Sequence, residues 1–151
     1  MSRGDQDETL PEAFWAVARQ LRVLSRETLA PWGITPSQSR AVMTLLRHGT
    51  MRLSQLSEHL RIAARSATEV VDGLQDRGFV ERLPDPRDRR ATLVRLTDEG
   101  AELGAAIRAV RAAEAEGFFS KISESDRAEL ARILRQLRAD TGPLPHAATQ
   151  E

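Results

Sequence analysis

The sequence predicts a mainly α-helical chain with one small β-hairpin, an α+β arrangement. Three observations carry that prediction. Apolar residues recur at intervals of three and four over most of the chain, which describes one face of an amphipathic helix. The interval changes to two only between Val80 and Leu96. The two alternating runs flank an Asp85-Pro86 turn, the connection of a hairpin. At 151 residues the chain suits one domain with its own core.

The elements follow in order. Leu10, Phe14, Val17, Leu21 and Leu24 form the stripe of a first helix that ends near Pro31. Thr35 is an N-cap, Pro36 suits the first helical position and Gln38 completes a capping box, so a second helix starts there. Gly49 is placed to close it in the left-handed conformation. A short third helix follows in LSQLSEHLR, with Ser54 as its cap and Leu56 and Leu60 turned inward. Residues 62–77 make a fourth, striped by Ala67, Val70, Val71 and Leu74 and stopped by Gly78. The strands are Val80–Leu83 and Thr92–Leu96. Thr97-Asp98-Glu99 caps a long helix running through Leu103, Ile107 and Val110 to about Phe119. Ser123 caps a last helix that buries Leu130, Ile133, Leu134 and Leu137, and residues 141–151 read as a flexible tail.

Composition removes several function classes. The absence of cysteine rules out disulfides, thiolate zinc sites and thiol switches. His48, His59 and His146 are too dispersed to suggest a metal centre, and no catalytic pattern of nucleophile and base or glycine-rich phosphate loop occurs. Acids such as Asp72 and Asp76 suit salt bridges or solubility, so an enzyme is not expected. No apolar run spans a membrane and the N-terminus is acidic, which points to the cytoplasm. Twenty-two basic residues balance twenty-two acidic ones, but residues 34–96 carry +4 against −1 and −3 in the flanks. A positive centre between acidic arms suits a polyanion.

Two short helices, a tight turn and a hairpin are the parts of a winged helix-turn-helix. A B-form major groove about 12 Å wide admits one helix, and the hairpin reaches the adjacent minor groove. The fourth helix would enter the major groove. Its N-terminal face bears Ala64, Arg65, Ser66 and Thr68, while Glu69, Asp72 and Asp76 lie further along. Cation first and anion last opposes the helix macrodipole, so helix stability did not select this order. Ser54 and Gln55 begin the third helix, where backbone N–H groups are free for a phosphate. The stretch LPDPRDRRATLVRLT carries Arg87, Arg89, Arg90 and Arg95, and a cationic hairpin tip suits the electronegative minor groove. Only Lys121 among the basic residues is a lysine, so placement rather than abundance of arginine carries the argument.

RSATEVVDGLQDRGFVERLPDPRDRRATLVRLTDEG closely resembles the signature of the MarR family of transcriptional regulators. DPRDRRATLVRLTDEG, Asp85 to Gly100, is its most specific part, and the match in helix order extends over residues 10–140. The resemblance implies a homodimer, with helices 10–31 and 97–140 as the dimerisation arm and residues 34–96 as the winged DNA-binding region over a pseudo-palindromic operator. It also implies that Asp88 pairs with Arg90 and positions it for the minor groove, with Arg87 and Arg89 on phosphates. A ligand-responsive repressor follows, released by a small aromatic or phenolic effector and needing no cofactor. Where many members have Gly and then Ser before the recognition helix, this chain has Arg61 and Ala63. The helix therefore lacks a hydroxyl cap, a loss of ~1 kcal/mol, and Arg61 becomes a candidate phosphate contact.

Simpler readings stand beside these. Trp15 and Trp32 pack the junction between arm and winged region rather than line a pocket, and His48 and His59 are ordinary helix-end residues. The stripes of the first and the last two helices are core or dimer contacts. A winged helix that binds proteins instead of DNA is the competing function.

Overall fold

The structure, a computed structural model of the chain, describes residues 8–140, the side chain of Asp140 excepted. The expected tail at 141–151 and His146 within it lie outside the described residues. In order come α1 (Leu10–Leu29), α2 (Pro36–His48), β1 (Met51–Arg52), α3 (Leu53–Leu60) and α4 (Ala64–Asp76). Then follow β2 (Val80–Pro84), β3 (Thr92–Leu96), α5 (Asp98–Phe119) and α6 (Glu124–Asp140). The chain divides into two compact units, residues 1–112 and 113–151. That division falls inside α5. The reason is burial: Gly100, Leu103, Gly104 and Ile107 sink into the core, while no later residue of α5 does.

Local chemistry sets most boundaries. Thr35 Oγ1 accepts from the Gln38 N–H at 3.1 Å and Gln38 Oε1 from the Thr35 N–H at 2.9 Å, the reciprocal capping box of α2. Pro31 ends α1 through a 3-10 turn over Ala30–Trp32. At the end of α2, Gly49 has φ 80° and ψ −165°, a positive φ outside the left-handed helical region expected for it.

The start of α3 corrects the expected cap. Arg52, not Ser54, is the N-cap residue, its N–H donating to Gln55 Oε1 at 2.9 Å, and Ser54 lies inside the helix. Arg52 is held there because it also belongs to β1, a strand that two residues could not announce in sequence. Met51 pairs with Val94 and Arg52 with Leu93, so the hairpin becomes a three-stranded antiparallel sheet in the order β1-β3-β2. The β2–β3 register matches Val80 with Leu96 and Glu81 with Arg95.

The core lies within the first unit. Val42 and Leu45 of α2, Leu56 and Leu60 of α3, Val71 and Leu74 of α4, Val80 and Val94 of the sheet, and Leu103 and Ile107 of α5 are all buried. Each such side chain contributes about 1.5–3 kcal/mol, so α4 is held from one face and its opposite face is left to solvent. Trp32 packs partly buried against this core, whereas Trp15 is half exposed and stands edge-on to Phe14 at 5.7 Å. Leu130, Ile133 and Leu137 of α6 are exposed and Leu134 only half-buried, so burial of that stripe is not achieved within one chain. Leu10, Phe14 and Val17 of α1 are likewise exposed.

Two backbone positions test this account. Between α3 and α4, Arg61 is left-handed at φ 54° and ψ 47°, with its N–H on Glu58 O at 3.1 Å and the Ile62 N–H on Ser57 O at 3.3 Å. The arrangement resembles a glycine-terminated helix end built with a side chain that opposes it by roughly 1–2 kcal/mol. Arg61→Gly is therefore expected to raise stability to denaturant by about 0.5–1 kcal/mol, since the extra freedom glycine gives the unfolded chain cancels part of the relief. At the start of α5, a Cβ on Gly100 would stand 1.9 Å from the Phe79 carbonyl oxygen, which accepts the Thr97 N–H at 3.1 Å. Gly100→Ala must push α5 off the sheet, and a loss of about 3 kcal/mol or more in a denaturant titration is the expected result.

Candidate nucleic-acid interface

Three elements converge on one surface. A concavity of about 370 Å³ is lined by Arg52, Leu53 and Ser54 at the start of α3, by Ala64 and Thr68 at the start of α4, and by Asp88, Arg90, Ala91 and Thr92 of the hairpin. The structure thus brings together Ser54, Ala64, Thr68, Asp88 and Arg90 of the residues singled out in sequence. Gln55, Arg61, Arg65, Ser66, Arg87 and Arg89 do not line it; all six are exposed. Arg52 and Thr92 are the residues sequence reasoning missed. Arg52 could have been found only from its pairing partner, thirty-three positions away.

On α4 the division of faces is sharp. Ala67, Val71 and Leu74 are buried, while Ala64, Arg65, Ser66, Thr68 and Glu69 are exposed. No side chain caps the helix at Ala63, so its first-turn N–H groups stay free for an anion. The Thr68 hydroxyl donates back to Ala64 O at 3.0 Å, leaving its oxygen outward. Arg65 lies 3.8 Å from Glu69 with its side chain 93% exposed, a pair too solvated to hold it. Further along, Asp72 accepts from Arg82 of β2 at 2.6 Å, and Gln75 accepts from the same guanidinium, which fastens the end of α4 to the hairpin.

The hairpin loop is ordered by carboxylates gripping backbone. Asp85, buried at 8% exposure, accepts the Arg87 N–H on Oδ1 at 2.8 Å and Arg52 Nε on Oδ2 at 2.7 Å. The Arg87 N–H is the larger cause holding its pKa below the usual carboxylate value; partial desolvation opposes it and Arg52 adds to the lowering. Asp88 behaves differently from the implied pairing. Its Oδ1 accepts the backbone N–H of Arg90 at 2.9 Å, and no ion pair joins it to the Arg90 guanidinium among the described residues. The carboxylate is within reach of its own turn and satisfied there, an Asx-type bond.

The consequence is a sorting of cations. Arg95 is taken by Glu81 opposite it on β2, Nε to Oε1 at 2.7 Å, and Arg77 donates to Gly33 O at 2.8 Å. Arg87, Arg89 and Arg90 have exposed side chains and no carboxylate partner among the described residues. What the surface offers is a helix N-terminus and unpaired guanidiniums on a stiffened loop, both suited to a phosphate backbone. No group of three or more His, Cys, Asp or Glu among the described residues could hold a metal ion.

Comparison with known proteins agrees with that chemistry. The family model described as "MarR family" matches residues 34–92. An uncharacterized HTH-type transcriptional regulator of Mycobacterium bovis is 35% identical over 117 residues, which cover 78% of this chain and 77% of the relative. The chain belongs to the MarR family. The HTH-type transcriptional repressor MdtR of Bacillus subtilis is 27% identical over 111 residues, covering 74% of this chain and 72% of its own. Among solved structures, a MarR family protein from Bacillus stearothermophilus superposes with a TM-score of 0.78 at 25% identity, over 87% of this chain and 91% of the other. A mutant MarR from E. coli gives 0.77 at 24% identity, over 86% and 96%, and shares the fold. The protein is accordingly a DNA-binding transcriptional regulator with a winged helix-turn-helix, and MarR-family members are regulators, not enzymes.

Asp85 sets a pH test on this MarR-type wing. A carboxylate whose folded pKa is depressed stabilises the fold fully above its unfolded pKa, about 3.9, and loses that contribution as pH falls through the lower folded value. Asp85→Asn should therefore be less stable than the parent in urea at pH 7. The gap should narrow once the pH drops below the ordinary aspartate range.

Proposed function

We propose that the protein is a ligand-responsive repressor that acts in the cytoplasm as a homodimer on a pseudo-palindromic operator. The observation that carries the reading is the concavity that sets the uncapped start of α4 beside Arg90 of the hairpin, in a loop whose Arg87 and Arg89 are also exposed and without a carboxylate partner among the described residues. In this reading α4 enters the major groove, with Arg65 on a base edge and Ser54, Gln55, Arg61, Ser66 and Thr68 on phosphates or base edges. Arg87, Arg89 and Arg90 follow the adjacent minor groove and its backbone. Asp88 acts on the wing by shaping the turn rather than by steering a guanidinium.

The exposed apolar residues Leu10, Phe14 and Val17 on α1 and Leu130, Ile133 and Leu137 on α6 support a second copy as their cover. Contiguous apolar surface on a helical arm is unfavourable in water. Two subunits would set two α4 helices one helical turn of DNA apart, and an effector would act by changing that spacing. The resemblance gives the effector as a small aromatic or phenolic anion, with no cofactor.

Selection of genomic fragments by the purified protein, followed by affinity measurement across a salt series, tests the reading. Log affinity should fall steeply with log salt, and Arg89→Ala or Arg90→Ala should each reduce that slope by about 1. Arg65→Ala should instead cost roughly 1–3 kcal/mol of discrimination at one operator position. Salt-independent association, or sedimentation of the chain as a monomer at micromolar concentration, would count against it and favour a protein-binding module.

A further inference from the structure

The ion pairs around the hairpin differ in which partner faces solvent. In the Arg82–Asp72 pair the carboxylate is the more open member, with side-chain exposures of 26% for the cation and 55% for the anion, and in the Arg95–Glu81 pair both members are open. The Arg52–Asp85 pair is built the other way round: the arginine side chain is 39% exposed and the carboxylate 6%. An anion arriving from solvent meets the cation of that pair and finds its carboxylate covered. Coulomb energy falls with distance, so the nearer charge sets the sign of the encounter.

Use of donors separates Arg52 as well. Arg82 commits both terminal nitrogens, Nη1 to Gln75 and Nη2 to Asp72, and Arg95 gives Nε and Nη2 to Glu81. Arg52 gives only Nε, to Asp85 Oδ2 at 2.7 Å, and neither of its Nη groups has a hydrogen-bond partner among the described residues. A guanidinium carries five N–H donors, so those on the terminal nitrogens are left over. Arg52 also lines the concavity where the starts of α3 and α4 meet the hairpin, beside Ser54, Thr68 and Arg90, and neither Arg82 nor Arg95 does.

Both ends of this side chain are already fixed. The Arg52 backbone pairs with Leu93 across the sheet, its N–H donates to Gln55 Oε1 at 2.9 Å, and its Nε is held by Asp85. Ordering a long arginine side chain costs rotamer freedom, and here the fold has met that cost before any ligand arrives. Arg90 in the same concavity is exposed and has no carboxylate to hold it among the described residues.

We propose that Arg52 has a second role besides joining the sheet to the hairpin loop: its terminal nitrogens hold a phosphate of the duplex between the helix-turn-helix and the wing, and Asp85 is the positioning residue that aims them. The inference rests on the reading that this face binds DNA and adds to it a contact made by a paired arginine. Two N–H groups in one plane suit two phosphate oxygens. Such a contact carries no base information, so it strengthens binding to any duplex alike.

Affinity of the full chain for a fluorescent duplex of random sequence, followed by anisotropy across a salt series, tests the assignment. Arg52→Gln should make the fall of log affinity with log salt shallower by about 1 for each chain bound, and weaken binding about tenfold or more at fixed salt. Arg52→Lys keeps the charge and should retain the slope. Arg95→Gln makes the same change of net charge at a paired arginine outside the concavity and should retain it too. Because Arg52→Gln alone leaves Asp85 short of a donor, the comparison is repeated in the Asp85→Asn background, where neither partner is charged; there Arg52→Gln should again make the slope shallower by about 1. An arginine that acts only by holding Asp85 would change nothing in that background. That result, a parent slope kept by Arg52→Gln, or an equal loss in Arg95→Gln overturns the proposal. A parent whose duplex affinity is independent of salt overturns the DNA-binding reading and this inference together, whereas a steep parent slope shared by every Arg52 variant overturns this inference alone.

Discussion

Asp85 is a carboxylate placed where the hairpin leaves the sheet, and it answers two donors at once. One oxygen holds the backbone of Arg87, which bends the chain into the wing. The other holds Arg52, the residue that both pairs with β3 and begins α3. A single buried acceptor thereby ties loop, sheet and helix-turn-helix together at their common corner. Without it the hairpin loop would lose its side-chain tie to the start of α3.

From that corner the charge on the surface acquires a pattern. Arginines with partners are structural: Arg52 on Asp85, Arg82 on Asp72 and Gln75, Arg95 on Glu81. Arginines without a carboxylate partner among the described residues, Arg87, Arg89 and Arg90, collect at the hairpin loop. In a chain of zero net charge, this segregation supplies a cationic surface without a cationic protein. Pairing also uses short acids economically, because Asp85 and Asp88 satisfy backbone N–H groups that an exposed turn would otherwise leave to water.

Most of the helical architecture was legible because its signals are local. The Thr35–Gln38 box, Pro36, Gly78 and the change of apolar period at Val80 each act within a few residues, so α2, α4 and the hairpin could be read directly. The motif at the wing was legible as well, though not the partners within it. In place of the Asp88–Arg90 ion pair implied by resemblance, Asp88 Oδ1 accepts the Arg90 N–H of its own turn. The cap of α3 was misplaced at Ser54 because the competing strand residue, Arg52, is defined only by its neighbour across the sheet.

By itself the sequence determined the periods, the caps and the residue types, and hence that a helix-turn-helix with a cationic hairpin would form. Tertiary structure alone decided which arginines are neutralised and which are left free, because that depends on carboxylates far away in the chain. It decided likewise that His48 and His59 meet, and that the stripes of α1 and α6 stay uncovered in one chain. Coulomb attraction and burial act through space, and distance along the chain carries no record of them.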